Sequence, residues 1–155
     1  MSAVIADRPL PSREEIESFV LAQFKIFGPQ SKRTEHFAFV YWHDGELAQA
    51  HIYARCSSTS DRCTTNPKRA IQAVMPGAKI LAEWHSHPHN GSRLLSPDDA
   101  QGAFSIGEQI RSRGREYFAY YSDPTGRVFR WDTTTPDVNK ANRSRVEVGS
   151  YCRLV

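Results

Sequence analysis

Between residues 83 and 100 the chain reads EWHSHPHNGSRLLSPDDA, with three histidines in five positions followed by a serine and two aspartates. Imidazole nitrogen and carboxylate oxygen are donors that a borderline ion such as zinc accepts. If the segment through His85 is extended, Glu83, His85 and His87 share one face, and Trp84 and Ser86 share the other. Two imidazoles at that spacing are about 6 to 7 Å apart along a strand and can converge on one ion, above all where the strand ends. Asp98 or Asp99 would supply a third ligand, and a catalytic site of this kind keeps a further position for water or substrate. The plainer readings are a hydrogen-bonded histidine pair, a serine that caps a helix, and aspartates that favour the positive end of the helix dipole.

The elements that must position these residues lie on both sides of the stretch. AKILAEWHSH (78–87) reads as a strand, and SPDDAQGAFSIGEQIRSRG (96–114) as a helix with Ser96 at the N-cap, Pro97 at the first helical position and Gly114 at its end. The histidines thus sit at a strand end and the aspartates at a helix start, a common location for sites. Upstream, Ser12 and Glu15 form a capping-box pattern that opens an amphipathic helix with Ile16, Phe19, Val20, Phe24 and Ile26 on its stripe and Gly28 as its stop. Residues 35–56 read as two strands joined at Asp44-Gly45, and 116–132 as a second hairpin around Asp123–Gly126. PKRAIQAVMPG (67–77) is a short helix; the segment from 133 begins as loop, and the last ten residues form a final strand. This order predicts an α+β or α/β fold, a mixed sheet flanked by helices.

A chain of 155 residues with 39% hydrophobic and 24% charged residues fits a single domain, 1–155, here divided into a core of about 12–131 and a C-terminal tail, 132–155. A net charge of +3 and the short basic run RSRGR give no footprint for nucleic acid. No window approaches the roughly 20 apolar residues of a membrane span, and the first residues lack a secretory pattern, so the expected location is the cytoplasm. Of three cysteines, Cys56 and Cys63 could bridge outside the cytoplasm, although reduced thiols are the simpler expectation. His36, His43 and His51 receive no role, His89 reads as a solvated loop residue, and Trp84 and Trp131 as core.

The stretch resembles the JAMM (MPN+) metallopeptidase motif, in which an upstream glutamate is followed by H-[ST]-H-P, a short loop and S-x-x-D. The matching residues are His85, Ser86, His87, Pro88, Ser96 and Asp99. The resemblance implies a JAMM/MPN-like, cytidine-deaminase-like sandwich and a Zn2+ ion held by His85, His87 and Asp99. It also implies that Ser96 helps bind an oxyanion and that Glu35, fifty residues before His85, is the base. Eight residues separate His87 from Ser96, one more than in well-known members, and Ala38 stands where a glycine is frequent. Glu83 is a rival base, and EWHSHP also looks like bacterial members of the superfamily.

The implied activity is a zinc metalloprotease, a hydrolase cutting a peptide or isopeptide bond by metal-activated water. The implied partner is a protein or peptide substrate, such as the tail of a ubiquitin-like protein, with residues 57–66 where the family places a groove-shaping insertion. Two alternatives stand beside it: a catalytically inactive MPN-like interaction domain, and a toxin-associated or secreted bacterial hydrolase module. The oligomeric state is not legible.

Overall fold

A computed structural model of the chain describes residues 9–56 and 65–151. Helix α1 (Arg13–Phe27) leads into a hairpin of β1 (Thr34–His43) and β2 (Glu46–Arg55). A short helix α2 (Pro67–Gln72), strand β3 (Lys79–Ser86) and helix α3 (Pro97–Arg111) follow. A second hairpin, β4 (Phe118–Ser122) with β5 (Arg127–Trp131), then α4 (Val138–Ser144) and β6 (Val146–Ser150), complete the order. The six strands form one mixed sheet in the order β2-β1-β3-β4-β5-β6. All neighbours are antiparallel except β3 and β4, which run parallel because α3 carries the chain back between them.

Local chemistry accounts for the turns. Asp44 and Gly45 both adopt positive φ, 51° and 77°, which a two-residue hairpin turn matched to the strand twist requires. Asp123 Oδ1 accepts from the Thr125 and Arg127 backbone N–H groups and from the Thr125 hydroxyl, closing the second hairpin. Ser12 caps α1 through the Glu15 N–H, as its spacing predicts.

The period-2 alternation of the strands sorts side chains onto two faces. On one face Ala38, Val40, Ala82, Trp84 and Tyr120 pack against Ile16, Val20 and Phe24 of α1. On the other, Phe37 and Phe39 meet Ala70 of α2 and Ile110 of α3, while Ala119, Tyr121, Phe129 and Trp131 meet Ala100 and Ala103 of α3 and Ala141 of α4. A register shift between Val40 and Tyr41 skips Leu81, which joins the α1 side while Ile80 packs with the α2 side. The mixed sheet flanked by helices is therefore as expected at the level of class.

Three local expectations need correction. Residues 138–144 form α4 rather than loop, capped by Asp137, whose Oδ1 accepts from the Asn139 and Lys140 N–H groups. Lys140, Asn142 and Arg143 masked the helix in the sequence because only Ala141 of this short element is buried. Packing also continues past residue 131: β6 pairs with β5, and Tyr151 belongs to the α1-side core. Ile26 leaves the α1 stripe and is 54% exposed. Cys63 and Cys152 lie outside the described residues, and with Cys63 the pairing considered for Cys56. Among the described residues no helix is long and apolar enough to cross a membrane.

Trp84 anchors the α1 face: it is fully buried, meets Phe24 edge-on, stacks against Phe27, and donates its indole N–H to Gln49 Oε1 at 2.9 Å. Trp84→Ala is expected to cost about 3–5 kcal/mol of folding stability, read from the shift of a denaturant unfolding curve. A loss below about 1 kcal/mol would show that this face is not the main core.

Candidate metal centre

The site is built where β3 ends. His85 pairs with Phe37 of β1 on one side and with Tyr121 of β4 on the other. Continuing the β1 register by two residues sets Glu35 opposite His87. The ladder towards β4 persists one step beyond the strand, with the His87 N–H donating to the Ser122 carbonyl at 2.9 Å. Ser86 points to the opposite face, where its Oγ accepts from the Ser31 hydroxyl at 2.7 Å and from the His36 N–H at 3.1 Å. That buried serine pins the start of β1 to the end of β3, next to Glu35 and between the two histidines.

Helix α3 brings the third donor. Ser96 Oγ accepts from the Asp99 N–H at 3.1 Å, and Asp99 Oδ2 accepts from the Ser96 N–H at 3.0 Å, a reciprocal capping box. The same Asp99 Oδ2 lies 3.5 Å from His85 Nε2 and 3.4 Å from His87 Nε2, and the two Nε2 atoms are 3.1 Å apart. His87 Nδ1 lies 2.7 Å from the Ser92 carbonyl oxygen. A carbonyl only accepts, so Nδ1 carries the proton and the Nε2 lone pair faces the cluster.

These distances test whether an ion fits. Ligand bonds of about 2.0–2.1 Å at tetrahedral angles separate the donor atoms by about 3.3 Å. The observed edges of 3.1, 3.4 and 3.5 Å bracket that value, so His85, His87 and Asp99 form three corners of a tetrahedron and could hold a metal ion. Asp98, the alternative ligand, lines the neighbouring cavity on an exposed helix position, while Asp99 meets the imidazoles. One residue of rotation around a helix is about 100°, which is why adjacent aspartates diverge.

The electrostatics are those of a site missing positive charge. Burial opposes charging His85, yet the adjacent Asp99 carboxylate outweighs it, helped by Glu35 and Glu83, and pushes its pKa up to about 9. Burial would likewise raise Asp99, but attraction and hydrogen bonding from His85 hold it well below the usual carboxylate range. Glu35 is pushed up to about 7 by burial, with Asp99 adding and with His85 and the Thr65 N–H opposing. Glu83 also rises to about 7, from burial and Asp99, against the Tyr117 hydrogen bond and His85.

Glu35, Glu83, His85 and Asp99 all face one cavity of about 410 Å³. Their positions divide the two rival bases. Glu35 is partly open and is held by one long contact, Thr65 N–H to Oε2 at 3.3 Å. Glu83 is buried, and its Oε1 accepts from the Tyr117 hydroxyl at 2.7 Å. Ser96 is exposed at the N-cap and does not line that cavity.

Several supporting residues carried no readable signal in the sequence. Tyr121 lies against both imidazoles, its ring centre 5.9 Å from that of His85 and 5.0 Å from that of His87. Its hydroxyl donates to the Arg93 carbonyl and accepts from Arg145 Nη1 at 2.6 Å. Asn142 of α4 accepts from the Leu95 N–H and donates to the Leu95 carbonyl. The C-terminal segment thereby clamps the loop between His87 and Ser96, which no local pattern announces. His89 is also tied down rather than solvated, with Nε2 3.1 Å from the Gly28 carbonyl. His36 and His51 form a separate pair, Nδ1 to Nε2 at 2.9 Å, on the α1 face. Residues 57–64 of the expected insertion lie outside the described residues, while Thr65 and Asn66 line the cavity.

An ion entering the cluster must displace the proton on His85, since a metal ligand must be deprotonated. Affinity for a divalent cation should therefore rise with pH up to about 9 and level off above the folded pKa of His85. Titration calorimetry in two buffers of different ionisation enthalpy should show proton release near neutral pH, and pH-independent affinity across that window would contradict the arrangement. No known family model matches this chain, and neither does any curated protein or any solved structure.

Proposed function

We propose that this protein is a zinc-dependent hydrolase of peptide or isopeptide bonds, of the JAMM (MPN+) type whose motif His85-Ser86-His87-Pro88, Ser96 and Asp99 resemble. The observation that carries this reading is the tetrahedral spacing of His85, His87 and Asp99 at the head of a cavity that a partly open carboxyl group, Glu35, also lines. His85, His87 and Asp99 would hold the ion; when bound, zinc supplies Lewis acidity towards a carbonyl oxygen and towards water.

The remaining work falls to the chain itself. The Ser92 carbonyl orients the His87 ring, and the capping box fixes the Asp99 carboxylate, so ligand geometry is set before any substrate arrives. Glu35 is the general base: it takes a proton from the attacking water and delivers it to the leaving nitrogen as the C–N bond breaks. A carboxyl with a pKa near 7 suits both halves of that transfer near neutral pH. Glu83 is the weaker candidate, because its buried oxygen is already committed to Tyr117. Ser96 Oγ accepts from the Asp99 N–H, which leaves its own proton to donate to a developing oxyanion. A tail of extended chain, as at the C-terminus of a ubiquitin-like protein, is the proposed substrate.

The test compares wild type, His87→Ala and Glu35→Gln for zinc content by mass spectrometry and for cleavage of unstructured peptides and of ubiquitin-like fusions. His87→Ala should lose both ion and cleavage. Glu35→Gln should keep the ion and lose about 10²–10⁴-fold in rate. Undiminished cleavage in Glu35→Gln would remove Glu35 from the mechanism, and a chain that takes up no zinc would remove the hydrolase reading.

A further inference from the structure

The cavity does not stop at the triad. Beyond Glu35 and Asp99 it continues between β1 and α3, over Phe37 and Phe39 and beside Ala103 and Ile106. Two periodicities produce this layout. Glu35, Phe37 and Phe39 alternate onto one face of β1, while Asp99, Gly102, Ala103 and Ile106 fall on one stripe of α3. The strand and helix that present a base and a ligand therefore also present an apolar chamber directly against them. The whole cavity, acidic head and apolar chamber together, is about 410 Å³, within the usual size of small-ligand sites.

Gly102 explains why the chamber stays open. It lies inside α3, where glycine is less favourable than alanine by about 1 kcal/mol. Its backbone does not have positive φ, and a Cβ built on it meets nothing within 4 Å. Gly107 in the same helix differs, because a Cβ there would come within 2.7 Å of Arg111 Nη1. Neither backbone conformation nor packing among the described residues calls for a glycine at 102. What its missing side chain provides is room on the ligand-bearing stripe.

We infer that this chamber is a specificity pocket that takes one large apolar side chain, of the phenylalanine, leucine or methionine class, from the residue next to the bond to be cut. The inference rests on the hydrolase reading for the identity of the bond, and on the chamber alone for the side chain it takes. Phe37 and Phe39, 5% and 1% exposed, form the packed floor of the chamber, and the half-buried Ile106 supplies apolar surface to that side chain from the helix. A glycine in the same place would leave the chamber unfilled and forgo that burial.

Two readouts separate the pocket from the hydrolase reading. The first is binding of N-acetyl-phenylalanine amide and N-acetyl-glycine amide to the zinc-loaded full chain, followed by amide chemical shifts. The phenylalanine probe should shift the resonances of Phe39, Gly102, Ala103 and Ile106 and bind at least about ten-fold more tightly than the glycine probe. Gly102→Leu, which favours the helix and meets open space, should fold with a thermal midpoint no lower than wild type, retain zinc, and lose that difference. The second is cleavage of peptides differing only at the residues flanking the scissile bond. A phenylalanine or leucine there should raise kcat/KM by about 10–200-fold over glycine, and Gly102→Leu should abolish the preference. Probe discrimination without any cleavage would support the pocket and sink the hydrolase reading. Cleavage indifferent to the flanking residue, or probe binding unchanged in Gly102→Leu, would overturn the pocket.

Discussion

Two imidazole nitrogens 3.1 Å apart, each within 3.5 Å of the same carboxylate oxygen and largely shielded from water, are a stable neighbourhood only with positive charge among them. Without it, two lone pairs and an anion would face one another in a medium that screens poorly. In the metal-free protein a proton on His85 meets that need, which is why burial fails to keep this histidine neutral. A cation bound to all three donors meets it more completely. The raised pKa values of Glu35 and Glu83 come chiefly from their own shielding from water, with the neighbouring Asp99 charge adding to it.

The scaffold is arranged around holding that cluster still. Two of its members come from the end of a central strand, hydrogen-bonded on both sides, and the third from the first turn of the helix that connects two parallel strands. A strand end and a helix start are both rich in backbone groups without partners inside their own element. Here those groups are taken up in place: the Ser96 N–H by the Asp99 carboxylate, the His87 N–H by the Ser122 carbonyl, and the Ser92 carbonyl by the His87 ring. Each such bond is worth only about 1 kcal/mol, but together they leave the donors few ways to move apart.

The C-terminal segment completes the enclosure from a distance in sequence. Asn142 holds Leu95 through both backbone groups, and Arg145 ties Tyr121 to the Arg93 carbonyl while lying 4.6 Å from the Phe129 ring centre. The loop that links the ligands is therefore fixed by residues some fifty positions later. The eight residues between His87 and Ser96 are held by this bracing, and the donor triangle closes.

What the sequence determined by itself was most of what depends on short-range spacing, with α4 and the outward-facing Ile26 as the exceptions. The alternation at Glu83, His85 and His87, the capping pattern at Ser96 and Asp99 and the Asp44-Gly45 turn are periodic or dipeptide signals, and the structure brings the donor atoms of His85, His87 and Asp99 together. What needed the tertiary structure was every choice between near neighbours and every contact across the sheet. Asp99 rather than Asp98 meets the imidazoles because of the rotation of α3 over β3. Glu35 reaches the site because β1 pairs with β3 in a register that sets Phe37 beside His85, a fact that a strand's own residues do not encode. Tyr117, Tyr121, Asn142 and Arg145 look like ordinary polar and aromatic residues until the chain folds. The open chamber beside Gly102 is equally invisible in sequence, because a cavity is the property of two elements facing each other and neither one alone has it.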